Sequence, residues 1–156
     1  MTNKYFPAEN VTENDLFFVC YMIERVARKI KQPNRYVVNA LGYDELYRQL
    51  SLASVLHSEN PVKVENDWIE ENQLESGSFD ISAVRPELDV HIPSPIQMGK
   101  VYKRLILSTL QEGEDWIQAL IRVYSSPFCE TLDNYNCSAF YEPTPTITRA
   151  YLNGGF

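Results

Sequence analysis

Residues 12–31 read TENDLFFVCYMIERVARKIK, and this stretch decides the fold class. Leu16, Val19, Ile23, Val26 and Ile30 recur at alternating spacings of three and four, so at 3.6 residues per turn they form one apolar stripe of an α-helix. Ahead of the stripe, Thr12 and Asp15 have the spacing of a capping box, in which a hydroxyl and a carboxylate satisfy backbone N–H groups at a helix start. The helix is therefore expected to begin near Glu13. At its other end Arg25, Arg28, Lys29 and Lys31 set cations against the negative pole of the helix dipole. The uninterrupted apolar run, Leu16 to Ile23, is far short of the roughly 20 residues that cross a bilayer.

Similar helical signals continue on the C-terminal side. Pro33 suits the first turn of a second helix carrying Tyr36, Val37, Val38 and Leu41, which Gly42 closes in a left-handed conformation. Residues 44–57 supply a third helix, with Leu46, Leu50, Ala53 and either Val55 or Leu56 on its inner side. Asn60-Pro61 breaks that run, Val62-Lys63-Val64 is expected to be extended, and residues 65–72 read as a fourth helix with Trp68 and Ile69 inward. Residues 75–95 contain Gly77, Pro86, Pro93, Pro95 and several serines without sustained periodicity, the pattern of a linker or wrapping arm. Ser94-Pro95 then opens a helix with Val101, Tyr102, Leu105, Ile106 and Leu110 on one face, punctuated by Gly113. Residues 116–124 form a further amphipathic segment, Ser126-Pro127 starts one more turn, and the tail after Cys137 is irregular apart from a helix near residues 147–152. The expected fold is mainly α, a compact multi-helix bundle packed as one domain. It comprises an N-terminal helical unit (1–74), an irregular acidic, Pro-rich connection (75–95) and a C-terminal helical unit with an irregular tail (96–156).

A chain of 156 residues can bury roughly 70% of its unfolded surface, enough for a core without disulfide or metal. Its 44% hydrophobic and 22% charged residues argue against wholesale disorder. Cysteines are odd in number, and Cys20 lies within the apolar run where a thiol acts as a small hydrophobe, so no disulfide framework is expected. The first residues lack the basic and then apolar order of a secretion signal, which predicts a cytoplasmic protein. The net charge of −7 is concentrated: residues 1–50 carry +1, residues 51–95 carry −7 and residues 96–156 carry −1. In the middle segment Glu59, Glu65, Asp67, Glu70, Glu71, Glu75, Asp80, Glu87 and Asp89 face only Lys63 and Arg85. Such a field repels phosphate backbones and attracts basic partners.

The Ile23-Glu24 pair ending the first apolar helix, the Leu56-His57 pair and the acidic Asp67 introducing the next helix are spaced like the landmarks of a bacterial family. On these residues the segment 14–71 resembles the domain of unknown function family number 3791. Gly42 lies near the glycine that follows the family's second helix, whereas Ala53-Ser54 stands where the family favours Tyr-Asp. The resemblance implies short helical packing. It also implies an antitoxin or accessory role beside ADP-ribosyltransferase-like proteins.

Chemistry-bearing patterns are sparse. His57 and His91 are the two histidines, no CxxC, HExxH or HxxxH spacing occurs, and Cys129 and Cys137 do not have a diagnostic zinc spacing. Neither metal nor cofactor is expected. His57, at a helix end, reads as a cap rather than a general base. Glu70-Glu71 and Glu112 with Glu114-Asp115 are explained as solvated helix termini, and Gly154-Gly155 lacks the strand and Lys-Ser/Thr of a phosphate loop. Two cationic groups, Arg25, Arg28, Lys29, Lys31 and Arg35, and Lys100, Lys103 and Arg104, have the composition to meet phosphates. The expected function is non-enzymatic binding of a basic protein partner; a helical nucleic-acid-binding regulator is the alternative, and self-association stays open. The partner face is expected to combine Glu70, Glu71, Glu75 and Asp80 with exposed aromatic anchors Tyr135, Phe140, Tyr141 and Tyr151, leaving Trp68 and Trp116 to the core.

Overall fold

The computed structural model describes residues 1–88 and 91–156, so Asp89 of the acidic segment lies outside the described residues. Among the described residues seven α-helices follow one another: α1 (Glu13–Ile30), α2 (Asn34–Leu56), α3 (Pro61–Glu71), α4 (Pro95–Ser108), α5 (Trp116–Ser125), α6 (Phe128–Leu132) and α7 (Thr144–Asn153). Short 3-10 turns stand at Pro86–Leu88 and Ala139–Tyr141. Among the described residues the chain has no β-strand, and Thr2 and Asn10 form an isolated bridge. The protein is a multi-helix bundle.

Helix α1 is its central element. The capping box forms as the sequence requires: Thr12 Oγ1 accepts from Asp15 N–H at 3.3 Å and Asp15 Oδ2 accepts from Thr12 N–H at 2.9 Å. Lys31, in the left-handed region at φ 59°, ends the helix. The stripe residues Leu16, Val19, Ile23 and Val26 are wholly buried, and α2, α3 and α4 all pack on α1. Gly99 sets the closeness of α4, because a Cβ there would lie 3.1 Å from the Tyr21 backbone and 3.0 Å from the Phe17 ring. Helix α5 covers α2 and α4, so the N- and C-terminal helical units share one hydrophobic core.

Local signals place most boundaries. Gly42, at φ 76° and ψ 177°, produces the expected turn, but it kinks α2 instead of separating two helices with a loop. The expectation of an extended Val62-Lys63-Val64 is corrected: α3 already begins at Pro61. The Asn60 side chain caps the Val62 N–H at 2.9 Å, and proline at the first turn loses no hydrogen bond, so the dipeptide starts a helix as well as ending one. Helix α7 likewise begins at Thr144, earlier than periodicity suggested, with proline in its first turn.

Residues 75–88 form a wrapping arm rather than a free connection. Gly77 N–H donates to Ile30 O at 2.8 Å and Phe79 N–H to Lys31 O at 3.0 Å. Glu75 N–H donates to the Tyr36 hydroxyl at 2.8 Å, Ile81 is buried, and Arg85 N–H donates to Asn136 Oδ1 at 2.8 Å. The arm thus joins the end of α1 to the turn after α6. Gly77 is required at the closest approach, since a Cβ there would meet the Lys31 carbonyl at 2.7 Å.

Candidate functional site

The structure divides the anticipated partner face. Tyr135 and Phe140 are not exposed anchors: they are 1% and 3% exposed and pack edge to face. The 3-10 turn after α6 folds this segment back on the bundle, burying aromatic rings that stand among polar neighbours in sequence. Tyr141 is exposed, while Tyr151 is half-buried with its hydroxyl accepting from Arg122 Nη1 at 2.6 Å. Glu70, Glu71 and Glu75 are exposed, with Glu71 accepting from Arg48 at 3.2 Å. Asp80 is tied to Lys31 at 3.1 Å. Trp68 is in the core as expected, whereas Trp116 is only partly buried against it. His57 caps α2 and its ring lies 4.6 Å from that of Phe18.

The first cationic group is internally committed. Arg25 pairs with Glu65, Arg28 with Glu24, Lys29 with Glu65, Lys31 with Asp80 and Arg35 with Glu130. Meeting a phosphate would require each of these cations to give up a carboxylate. Lys100 and Arg104 are exposed beside Tyr141 around a separate hollow of about 310 Å³.

The strongest concentration of chemistry lies elsewhere, where α1, α2, α4 and α6 meet. Glu24 is 1% exposed; its Oε2 accepts from Arg28 Nε at 3.0 Å and from the Tyr135 hydroxyl at 2.9 Å. The Asn34 amide, first in α2, spans two carboxylates: Nδ2 donates to Glu24 Oε1 and to Asp133 Oδ2, both at 3.1 Å. Asp133, at the end of α6, also accepts from the Tyr102 hydroxyl at 2.6 Å and the Cys129 thiol at 3.1 Å. Asn34 Oδ1 is buried without a hydrogen-bond partner among the described residues. Burial, followed by the nearby Glu24 charge, pushes the Asp133 carboxyl up to about 7 despite the donors that favour its ionised form. Burial and the charge of Asp133 also push the Cys129 thiol well up, so it stays protonated at neutral pH and is a poor nucleophile.

Asp133 and Tyr135 reach the surface through a cleft of about 1030 Å³. Its walls are the first half of α2, the arm from Phe79 to Ala83, and α6 with the turn that follows; Tyr36, Phe79 and Ile81 supply apolar surface. The ion pairs Lys31–Asp80 and Arg35–Glu130 stand at its edges. No protein-family model, curated protein or solved structure matches the chain. Among the described residues no cluster of metal-ligating side chains occurs, and no helix is long and apolar enough to cross a membrane.

Of the expected partner-face residues, Asp80 and Tyr135 line this cleft, Tyr135 as a buried ring rather than an exposed anchor, whereas Glu24, Asn34, Cys129 and Asp133 were not expected as site residues. Glu24 did carry a signal: it stands four residues after Cys20 and three before Ala27, inside the apolar stripe. A carboxylate on a buried helix face demands partners. Asp133 carried none, because apart from Cys129 one turn earlier its partners come from distant parts of the chain.

Proposed function

We propose that this protein is a binding module that receives a basic segment of a protein partner in the cleft between α2, the arm and α6. The observation that carries the reading is the cleft itself, about 1030 Å³, with a mixed lining in which Tyr36, Phe79 and Ile81 supply apolar surface and Asp133 a carboxyl group. That volume is at the upper end of the roughly 300–1,000 Å³ usual for small-molecule pockets and leaves room for several side chains of an extended segment. The overall charge of −7 and the exposed Glu59, Glu70, Glu75 and Glu87 favour a basic partner through long-range attraction. The internal pairing of the α1 cations supports a protein partner over nucleic acid. The resemblance of residues 14–71 makes an ADP-ribosyltransferase-like protein the first partner to try, with this chain as antitoxin or accessory subunit.

The test is affinity capture from the native host with nuclease treatment, comparing wild type with Ala40→Trp. Ala40 is an exposed residue of the cleft wall, so the indole fills space without disturbing the core. A stoichiometric, nuclease-resistant partner lost with Ala40→Trp at unchanged melting temperature is the expected result. Recovery of nucleic acid alone, or a partner held equally by both proteins, overturns the proposal.

A further inference from the structure

We infer that the floor of the cleft is a cationic subsite in which Asp133 receives the guanidinium of an arginine side chain of the partner. The inference rests on the cleft being the docking site. Its starting point is the charge balance of the buried cluster. Two carboxylates, Glu24 and Asp133, are linked through one Asn34 amide, and Arg28 is in contact with Glu24 alone of the two. Arg28 is directed to Glu24, the Pro93 carbonyl and the Tyr135 hydroxyl, not to Asp133. The donors on Asp133, from Tyr102, Cys129 and Asn34, are all neutral. Asn34 Oδ1, on the amide that bridges the two carboxylates, is a further buried acceptor without a hydrogen-bond partner among the described residues.

The groups facing Asp133 are Glu24 and Arg28 from α1, Asn34 from α2, Tyr102 from α4, Tyr124 from α5, Cys129 from α6 and Tyr135 from the turn beyond. With Arg28 committed to Glu24, the Asp133 carboxyl is raised to about 7 and is mostly protonated at pH 6 in the unbound protein. An entering guanidinium replaces that proton: the carboxylic acid O–H bond breaks, the proton leaves to solvent, and N–H groups of the cation donate to the carboxylate. Arginine suits the place better than lysine, because its planar and weakly hydrated head stacks on aromatic faces, and Tyr36, Phe79 and Tyr135 line the same cleft.

The experiment titrates the full chain with N-acetyl-arginine methylamide and its citrulline counterpart, an uncharged near-isostere, following the protein by NMR at pH 6 and pH 8. With Asp133 near 7, the ionised fraction rises about tenfold across this interval, and affinity for the arginine probe is expected to rise about tenfold with it. The citrulline probe binds more weakly and without the pH dependence, and Asp133→Asn abolishes the preference for arginine. Equal binding of the two probes, a pH-independent arginine affinity, or no arginine binding at either pH overturns the inference. These measurements on wild type stand even if Asp133→Asn is unfolded. In partner capture, retention by Asp133→Asn but loss with Ala40→Trp removes the subsite and leaves the docking cleft; retention by both removes the cleft as well.

Discussion

Replacing Asp133 by Asn should change how stability depends on pH, and the structure gives the size of the change. Burial and the Glu24 charge raise the Asp133 carboxyl from its ordinary 3.8 to about 7, so the folded protein holds this proton more tightly than the unfolded chain does. The stabilisation from that proton is fully present below the unfolded value and is lost as pH rises through the folded one. Between pH 5 and pH 8 the loss integrates to about 2–3 kcal/mol. With a urea dependence of about 2 kcal/mol per molar for a domain of this size, the unfolding midpoint falls by about 1 M. Glu45, Asp80 and Glu114 are shifted the other way by their cation and hydroxyl partners, and their contribution is lost only at more acid pH. Cys20 is raised to about 12, so its effect begins only in alkali. The interval from pH 5 to pH 8 therefore isolates the cluster. Urea titrations of wild type and Asp133→Asn at pH 5, 6, 7 and 8 should diverge, with wild type losing stability and the variant nearly flat. Parallel curves would refute the claim that Asp133 carries a proton in the folded state.

Two further outcomes test the packing. Phe140→Ala should cost about 3–5 kcal/mol in chemical denaturation, because the ring is buried against Tyr135, while Tyr141→Ala should change stability by no more than about 0.5 kcal/mol; equal effects would contradict the burial. Gly77→Ala forces a Cβ against the Lys31 carbonyl and should loosen the arm at a cost of about 1–3 kcal/mol. Chymotrypsin cleavage after the exposed Phe79 then becomes faster than in wild type, and unchanged cleavage would show that the arm is held elsewhere.

What the sequence made legible was local. The α1 stripe, the Thr12/Asp15 box and the Ser94-Pro95 start each act within one or two turns, and each appears in the structure. Asn60-Pro61 was ambiguous because the residues that stop one helix cap the next. Tyr135 and Phe140 misled because α6 and the 3-10 turn are too short to show periodicity, and their burial is decided by the chain folding back. The candidate site was the least legible. Glu24 and Asp133 are brought together across the Asn34 amide at the start of α2, and no pattern in a single segment records that meeting.

The arm has a consequence for how this molecule can change over time. Two walls of the cleft are helices whose inner faces belong to the core, so substitutions that reshape them also disturb the bundle. The third wall, Phe79 to Ala83, is non-helical and is tied by backbone hydrogen bonds at Gly77 and Phe79 that are indifferent to the neighbouring side chains. Connecting segments tolerate substitution and insertion better than the elements they join. Selection can therefore retune the mouth of the cleft by altering a few arm residues while the helices and their stability are inherited intact.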